Sequence, residues 1–252
     1  MSQASPLLPG AEPYSALGSR TGVLVLHGLT GSPQSMRPLA EAFAAAGDTV
    51  ELPLLPGHGR RVDELRQTGW PDWLAGARAA CADLAARCDR VVVAGLSMGG
   101  TLTAWLLSEH PGIAGGVLVN GAVEPAAPEV RALLEQTLAQ GVEVAPAIGG
   151  DIADPDAVEL AFEGLPVRAV LSLFDAQEAL APRLASIHSP LLIFTSRNDH
   201  VVPPSAGDYL AERVAGPTER VWLERSFHVA TLDYDKDEIA RRSVEFVRSL
   251  DA

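Results

Sequence analysis

The chain has 252 residues, 47% of them hydrophobic and 20% charged, which is ordinary globular composition and enough for one large α/β domain or at most two small ones. Its 32 acidic and 19 basic side chains give a formal net charge of −13. That field repels phosphate backbones and gains nothing from anionic membranes, so nucleic acid is not an expected partner. No apolar run approaches the length of a membrane span, and residues 1–10 lack the basic start and continuous apolar core of a signal peptide, so a soluble cytoplasmic protein is expected.

Residues 1–20 are rich in Pro, Gly and Ser and read as surface chain with room for one edge strand. Gly22-Val23-Leu24-Val25-Leu26 has the uninterrupted apolar character of a buried strand. After His27-Gly28-Leu29-Thr30-Gly31, Ser32-Pro33 reads as an N-cap with proline at the first helical position. The helix carries Met36, Leu39, Ala40 and Phe43 and stops at Gly47. Residues 49–52 form the next strand, 53–61 a loop containing Pro56-Gly57-His58-Gly59, and 70–87 a long helix. Cys81 lies on that helix and Cys88 at its end, both in a segment that reads as helix. Seven residues of helix rise about 10.5 Å, beyond the roughly 7 Å between Cα atoms that a disulfide tolerates, so both read as buried small hydrophobes.

The stretch Val91-Val92-Val93-Ala94-Gly95-Leu96-Ser97-Met98-Gly99-Gly100 is a short apolar strand running into Gly-x-Ser-x-Gly, with a helix opening near Thr101. The five-residue motif alone is weak. Strand before and helix after make it a tight turn that stands the Ser97 hydroxyl clear of the sheet. Strands at 116–120, 190–195 and 219–223 and a final helix over 237–250 complete an alternation that implies a mostly parallel sheet covered on both faces. About seventy residues separate two of those strands, several times a normal crossover. A stripe of Val167, Val170, Leu171 and Phe174 supplies the crossover helix, leaving about 121–165 as an insertion, with a helix near 129–138 and a Gly-Gly pair at 149–150. It falls just past the strands' C-terminal ends, where ligands bind in such sheets.

A serine hydroxyl needs a base, and the base an orienting acid, in the chain order Ser, Asp or Glu, His. His27 and His58 precede Ser97, and His110 and His188 precede the strand that should carry the acid. Asp199 follows that strand directly, and its neighbour His200 cannot easily bond back to it. His228, in the loop between the last strand and the last helix, remains as the base. Backbone N–H groups of Met98 and Leu29 are the expected oxyanion donors. His27 reads as a brace of its loop, and His58 as a loop brace with substrate contact as the lesser alternative. Trp70, Trp73 and Trp105 read as packing. No metal-ligand spacing and no Gly-x-Gly-x-x-Gly after the first strand is present, so neither metal nor dinucleotide cofactor is expected.

Together His27-Gly28-Leu29-Thr30-Gly31, Gly95-Leu96-Ser97-Met98-Gly99-Gly100, Asn198-Asp199-His200-Val201-Val202-Pro203 and Phe227-His228-Val229-Ala230-Thr231-Leu232-Asp233 resemble the α/β-hydrolase family. More closely they resemble its branch of bacterial monoacylglycerol lipases and small carboxylesterases. The similarity runs from about Leu8 to the C-terminus and is weakest over 121–147. The resemblance implies a single α/β-hydrolase domain over 1–252 and a triad of Ser97, Asp199 and His228, with the oxyanion donors at Leu29 and Met98. The 121–165 insertion would be a lid over an acyl pocket, with Glu159 matching an acid that bonds glycerol hydroxyls and Ile148 a lid residue near the glycerol. A solvated helical glutamate is the competing reading of Glu159. Where the family commonly has Phe, this chain has Leu29, a change in pocket shape rather than in the backbone donor. The implied activity is hydrolysis of monoacylglycerols or similar acyl esters. The alternatives are a general carboxylesterase without glycerol preference, and a ligand-binding regulator on the same scaffold.

Overall fold

A computed structural model describes residues 5–147 and 150–250. A seven-stranded sheet runs in the order β1 (Tyr14–Ala16), β3 (Thr49–Leu52), β2 (Thr21–Leu26), β4 (Arg90–Leu96), β5 (Gly115–Val119), β8 (Leu191–Ser196), β9 (Thr218–Leu223). All neighbours pair parallel except β1, which lies antiparallel on the β3 edge. The strands are apolar on both sides because both faces are covered. Val91 and Val93 join Leu24, Leu26, Leu118 and Ile193 in one buried layer, under α3 (Trp70–Ala85), α4 (Met98–Glu109) and α6 (Val167–Leu180). Val92, Ala94 and Leu96 join Val23, Val25, Val119 and Phe194 in the other, under α1 (Arg37–Ala45) and α8 (Lys236–Ser249).

From β2 the chain turns outward through α1 to β3, then crosses back over β2 through α3 to β4. Loops leaving β2 and β4 therefore diverge to opposite faces, and the crevice between them opens at the strands' C-terminal ends. Register aligns those ends: Leu26 pairs with Gly95, Leu96 with Val119, Val119 with Phe194 and Ser196 with Leu223.

Several boundaries differ from the sequence reading. Ser32 makes no side-chain cap; Pro33–Met36 is a 3-10 turn, and the α-helix begins only at Arg37. The helix after Ser97 starts at Met98, three residues early, because Gly99 and Gly100 let the first turn pack directly on the sheet. Short helices α2 (Val62–Leu65) and α7 (Ser205–Ala211) lie in stretches to which the sequence reading assigned no element. Between β5 and α6 the insertion holds α5 (Pro128–Ala139) and an antiparallel ribbon of β6 (Val144–Pro146) with β7 (Gly164–Pro166), a pairing too short to be visible as alternation.

Trp73 is fully buried on α3, its Nε1 donating to Thr68 Oγ1 at 3.2 Å and its ring edge-on to His58 at 5.9 Å. Trp73→Ala opens a cavity behind the loop at 53–61 and should lower stability by about 3–5 kcal/mol, read from urea unfolding.

Candidate active site

Ser97 sits between β4 and α4 with φ 55° and ψ −119°, a backbone conformation that non-glycine residues adopt only under constraint. Its N–H donates to Val119 O at 3.1 Å, and its carbonyl accepts the N–H groups of Gly100 and Ala122 at 2.8 and 3.1 Å. A Cβ on Gly95 would overlap the Gly99 carbonyl, and one on Gly99 the Leu26 carbonyl. Those contacts fix the turn so that Ser97 passes over the start of α4.

Asp199 follows β8 and His228 follows β9. His228 Nδ1 lies 2.8 Å from Asp199 Oδ2, and both side chains are buried. The other oxygen, Oδ1, accepts the N–H groups of Val201 and Val202 at 2.8 Å each, which fixes the carboxylate's orientation. Among the described residues Ser97 Oγ makes no hydrogen bond, so the structure joins Asp199 to His228 but leaves the serine hydroxyl free.

The first loop is held by the two buried histidines. His27 Nδ1 lies 2.9 Å from Gly28 O, and His27 Nε2 accepts the Leu55 N–H at 3.2 Å, which selects the Nδ1–H tautomer. His58 lies edge-on to it at 4.8 Å, with its nitrogens against Leu29 O and Pro56 O. A neutral ring donates to only one of these at a time. Burial pushes His27 down to about 3, with His58 adding to the shift, and pushes His58 down to about 4. Both rings are therefore neutral near neutral pH and brace the loop, and the Leu29 carbonyl is one of the groups they hold. Met98 opens α4, so its N–H has no intrahelical acceptor.

Glu159 is half-buried in an irregular segment, not on a helix. Its carboxylate lies over Gly31, where a Cβ would stand 2.7 Å from Oε1. Burial raises its pKa to about 7, against an opposing pull from His228. The segment bearing it is tied to the β2 loop: Gln34 bonds Val158 O and Leu160 N at 2.9 Å each, and Phe162 N–H donates to Thr30 O at 3.0 Å. Ile148 lies outside the described residues.

Sequence reasoning missed the groups that hold the histidine loop. Asn120, at the end of β5 with φ 45°, donates from Nδ2 to His228 O at 2.8 Å and accepts the Ser196 N–H at 2.7 Å. Asp233, fully buried, accepts the Phe227, Ala153 and Asp154 N–H groups at 2.8–3.0 Å. Asn at the end of an apolar strand was the one available signal, since Asn tolerates left-handed backbone. Among the described residues no group of three or more His, Cys, Asp or Glu side chains is placed to hold a metal ion, and no helix is long and apolar enough to cross a membrane.

His27 and His58 are neutral in the fold but take up protons below an ordinary value of 6.5 when the chain unfolds. Stability is therefore complete above about pH 6.5 and falls as pH drops toward 4. His58→Gln should remove one of the two protons and flatten the slope by up to about 1.4 kcal/mol per pH unit, measured by urea unfolding between pH 6 and 5.

Residues 18–235 match the family model described as serine aminopeptidase, S33. The chain is 44% identical over 247 residues to the thermostable monoacylglycerol lipase of Bacillus sp. (strain H-257), covering 98% of each chain. It is 27% identical to a carboxylesterase of Bacillus subtilis (strain 168), covering 95% of this chain and 97% of that one. Among solved structures, one from work on LipS and LipT, two metagenome-derived lipolytic enzymes, superposes with a TM-score of 0.92 at 43% identity, covering 97% of this chain and all of the other. The monoacylglycerol lipase of Paleococcus ferrophilus, at 21% identity and a TM-score of 0.77 over 95% of this chain and 99% of that one, shares the fold. With strained serine turn, buried His–Asp pair and full-length similarity in agreement, the chain belongs to the serine aminopeptidase S33 family of α/β-hydrolases.

Proposed function

We propose that this protein is a serine ester hydrolase that cleaves monoacylglycerols to glycerol and a fatty acid through an acyl-enzyme. The observation that carries the reading is the buried 2.8 Å contact between His228 Nδ1 and Asp199, at the same C-terminal edge of the sheet as a serine held at φ 55°. Asp199 fixes the imidazole with Nε2 outward, the tautomer a general base requires. His228 takes the Ser97 proton as Oγ attacks the ester carbonyl, and the oxyanion gathers the Leu29 and Met98 N–H groups. The proton passes to the departing glycerol oxygen. Water, activated by the same nitrogen, then releases the fatty acid and restores the serine.

The glycerol preference rests on Glu159 and on the activity named for the 44% identical relative. A carboxylate held over the crevice beside Gly31 can accept hydrogen bonds from two vicinal hydroxyls, which a simple alkyl ester lacks. Residues 121–165 form the lid in this reading, and the acyl chain lies beneath it.

Ser97→Ala should lose ester hydrolysis by roughly 10⁴-fold or more with the fold intact; near-normal turnover of 4-nitrophenyl esters would sink the mechanism. Glu159 ionises at about pH 7, so its acceptor strength grows as pH rises through that value. The ratio of monoacylglycerol to ethyl-ester rates at equal acyl length should therefore climb across pH 7. In Glu159→Gln the ratio should be lower and independent of pH. A ratio unchanged by Glu159→Gln would leave a carboxylesterase without glycerol preference.

A further inference from the structure

The segment carrying His228 is short of regular structure and rich in backbone donors. Each N–H from Arg225 to His228 is taken by a carboxylate: Arg225 and Ser226 by Asp235 at 3.1 and 2.9 Å, Phe227 by Asp233 at 2.9 Å, and His228 by Asp151 at 3.1 Å. Asp233 and Asp235 are near neighbours in the chain. Asp151 is not; it comes from the insertion, 77 residues away.

Asp151 also reaches the loop that carries the acid. Oδ2 accepts the His200 N–H at 3.1 Å as well as that of His228, and Oδ1 lies 2.8 Å from His200 Nδ1. Its main chain joins in, since Val229 N–H donates to Asp151 O at 3.0 Å. The side chain is only 10% exposed. One carboxylate thus binds the residue after Asp199 and the backbone of His228, while those two side chains bond each other. Asn120 holds the same histidine through its carbonyl.

We propose that Asp151 is a positioning residue for the Asp199–His228 pair, so that the insertion completes the triad geometry as well as roofing the crevice. The proposal rests on the reading of Ser97, Asp199 and His228 as the reacting groups. Removing the carboxylate leaves two N–H groups without their acceptor and frees two loops to separate. Displacement of a catalytic group by about an ångström costs up to about a hundredfold in rate.

The test compares Asp151→Ala and Asp151→Asn with the native enzyme on a monoacylglycerol and on the ethyl ester of equal acyl length. Asp151→Ala should lower kcat on both substrates by roughly 10- to 100-fold, with KM nearly unmoved, because the loss falls on the base and not on the pocket. The far-downfield proton resonance of His228 Nδ1–H should broaden or vanish. Asp151→Asn should recover kcat to within a few fold: its one carbonyl oxygen has two lone pairs for the two N–H groups, and its amide can donate to His200 Nδ1. Should Asp151→Ala not fold, Asp151→Ser, too short to span both loops, carries the same expectation. Native kcat in the Ala or Ser variant, a pure KM effect, or an Asn variant as impaired as Ala would each overturn the proposal. Ser97→Ala is assayed alongside. If it is inert while Asp151→Ala turns over normally, only the role of Asp151 fails; if it stays active, the reading of the site fails first.

Discussion

The constraint on which the rest of the structure depends is the backbone of Ser97. A serine at φ 55° and ψ −119° carries strain of about 1–3 kcal/mol, and relaxing it would mean lifting α4 off the sheet. That cannot happen while Gly95 and Gly99 let the helix, the Leu26 carbonyl and β4 meet without side chains between them. The fully buried face of α4, from Met98 to Leu107, anchors the same turn from the other end. Strain is thus stored at one residue and over-determined by β4 and α4, both almost wholly buried.

Around that turn the loops after β8 and β9 have no such anchor, and acidic side chains hold them instead. A chain of net charge −13 spends several carboxylates as hydrogen-bond acceptors for backbone N–H groups at the strands' C-terminal ends: Asp199, Asp151, Asp233 and Asp235 each accept at least two such bonds. Bonds to a charged acceptor are stronger than those between neutral groups, and each frees a loop from needing regular structure. Ion pairs elsewhere, such as Arg20 with Asp89, lie on the exposed surface and contribute little.

How much of this was legible in the sequence follows from the range of the interactions. The strands of the sheet are apolar runs, so the sequence pattern locates them, and chain order places the candidates Ser97, Asp199 and His228 after their C-terminal ends. The roles of Asn120, Asp151 and Asp233 do not show locally. Each is an ordinary polar residue in a loop, and its function is defined by backbone groups up to 108 positions away. Ser32 illustrates the opposite failure. Its sequence is that of a helix cap, yet its hydroxyl turns to Leu160 O, because the insertion lies across it. Local propensity lost to a tertiary partner.

The insertion itself divides into two parts with different mechanical character. The stretch from Asp151 to Phe162 is tied to the histidine loop through Asp151 and Asp233 and to the β2 loop through Ser32, Gln34 and Thr30. α5, by contrast, buries none of its residues completely and leaves Val130 and Leu133 exposed. Local opening follows the path of least buried contact, so α5 is the part of the insertion that separates from the body at the lower cost. The charges then interlock. In the proposed mechanism His228 becomes an imidazolium between two carboxylates, Asp199 in contact and Glu159 nearby. Burial alone favours a neutral Glu159, and the positive ring favours its ionised form. By linkage, the carboxylate stabilises the imidazolium as much as the imidazolium stabilises the carboxylate. The residue proposed to recognise glycerol and the residue proposed to move its proton therefore share one electrostatic balance, held in place from both sides by the same insertion.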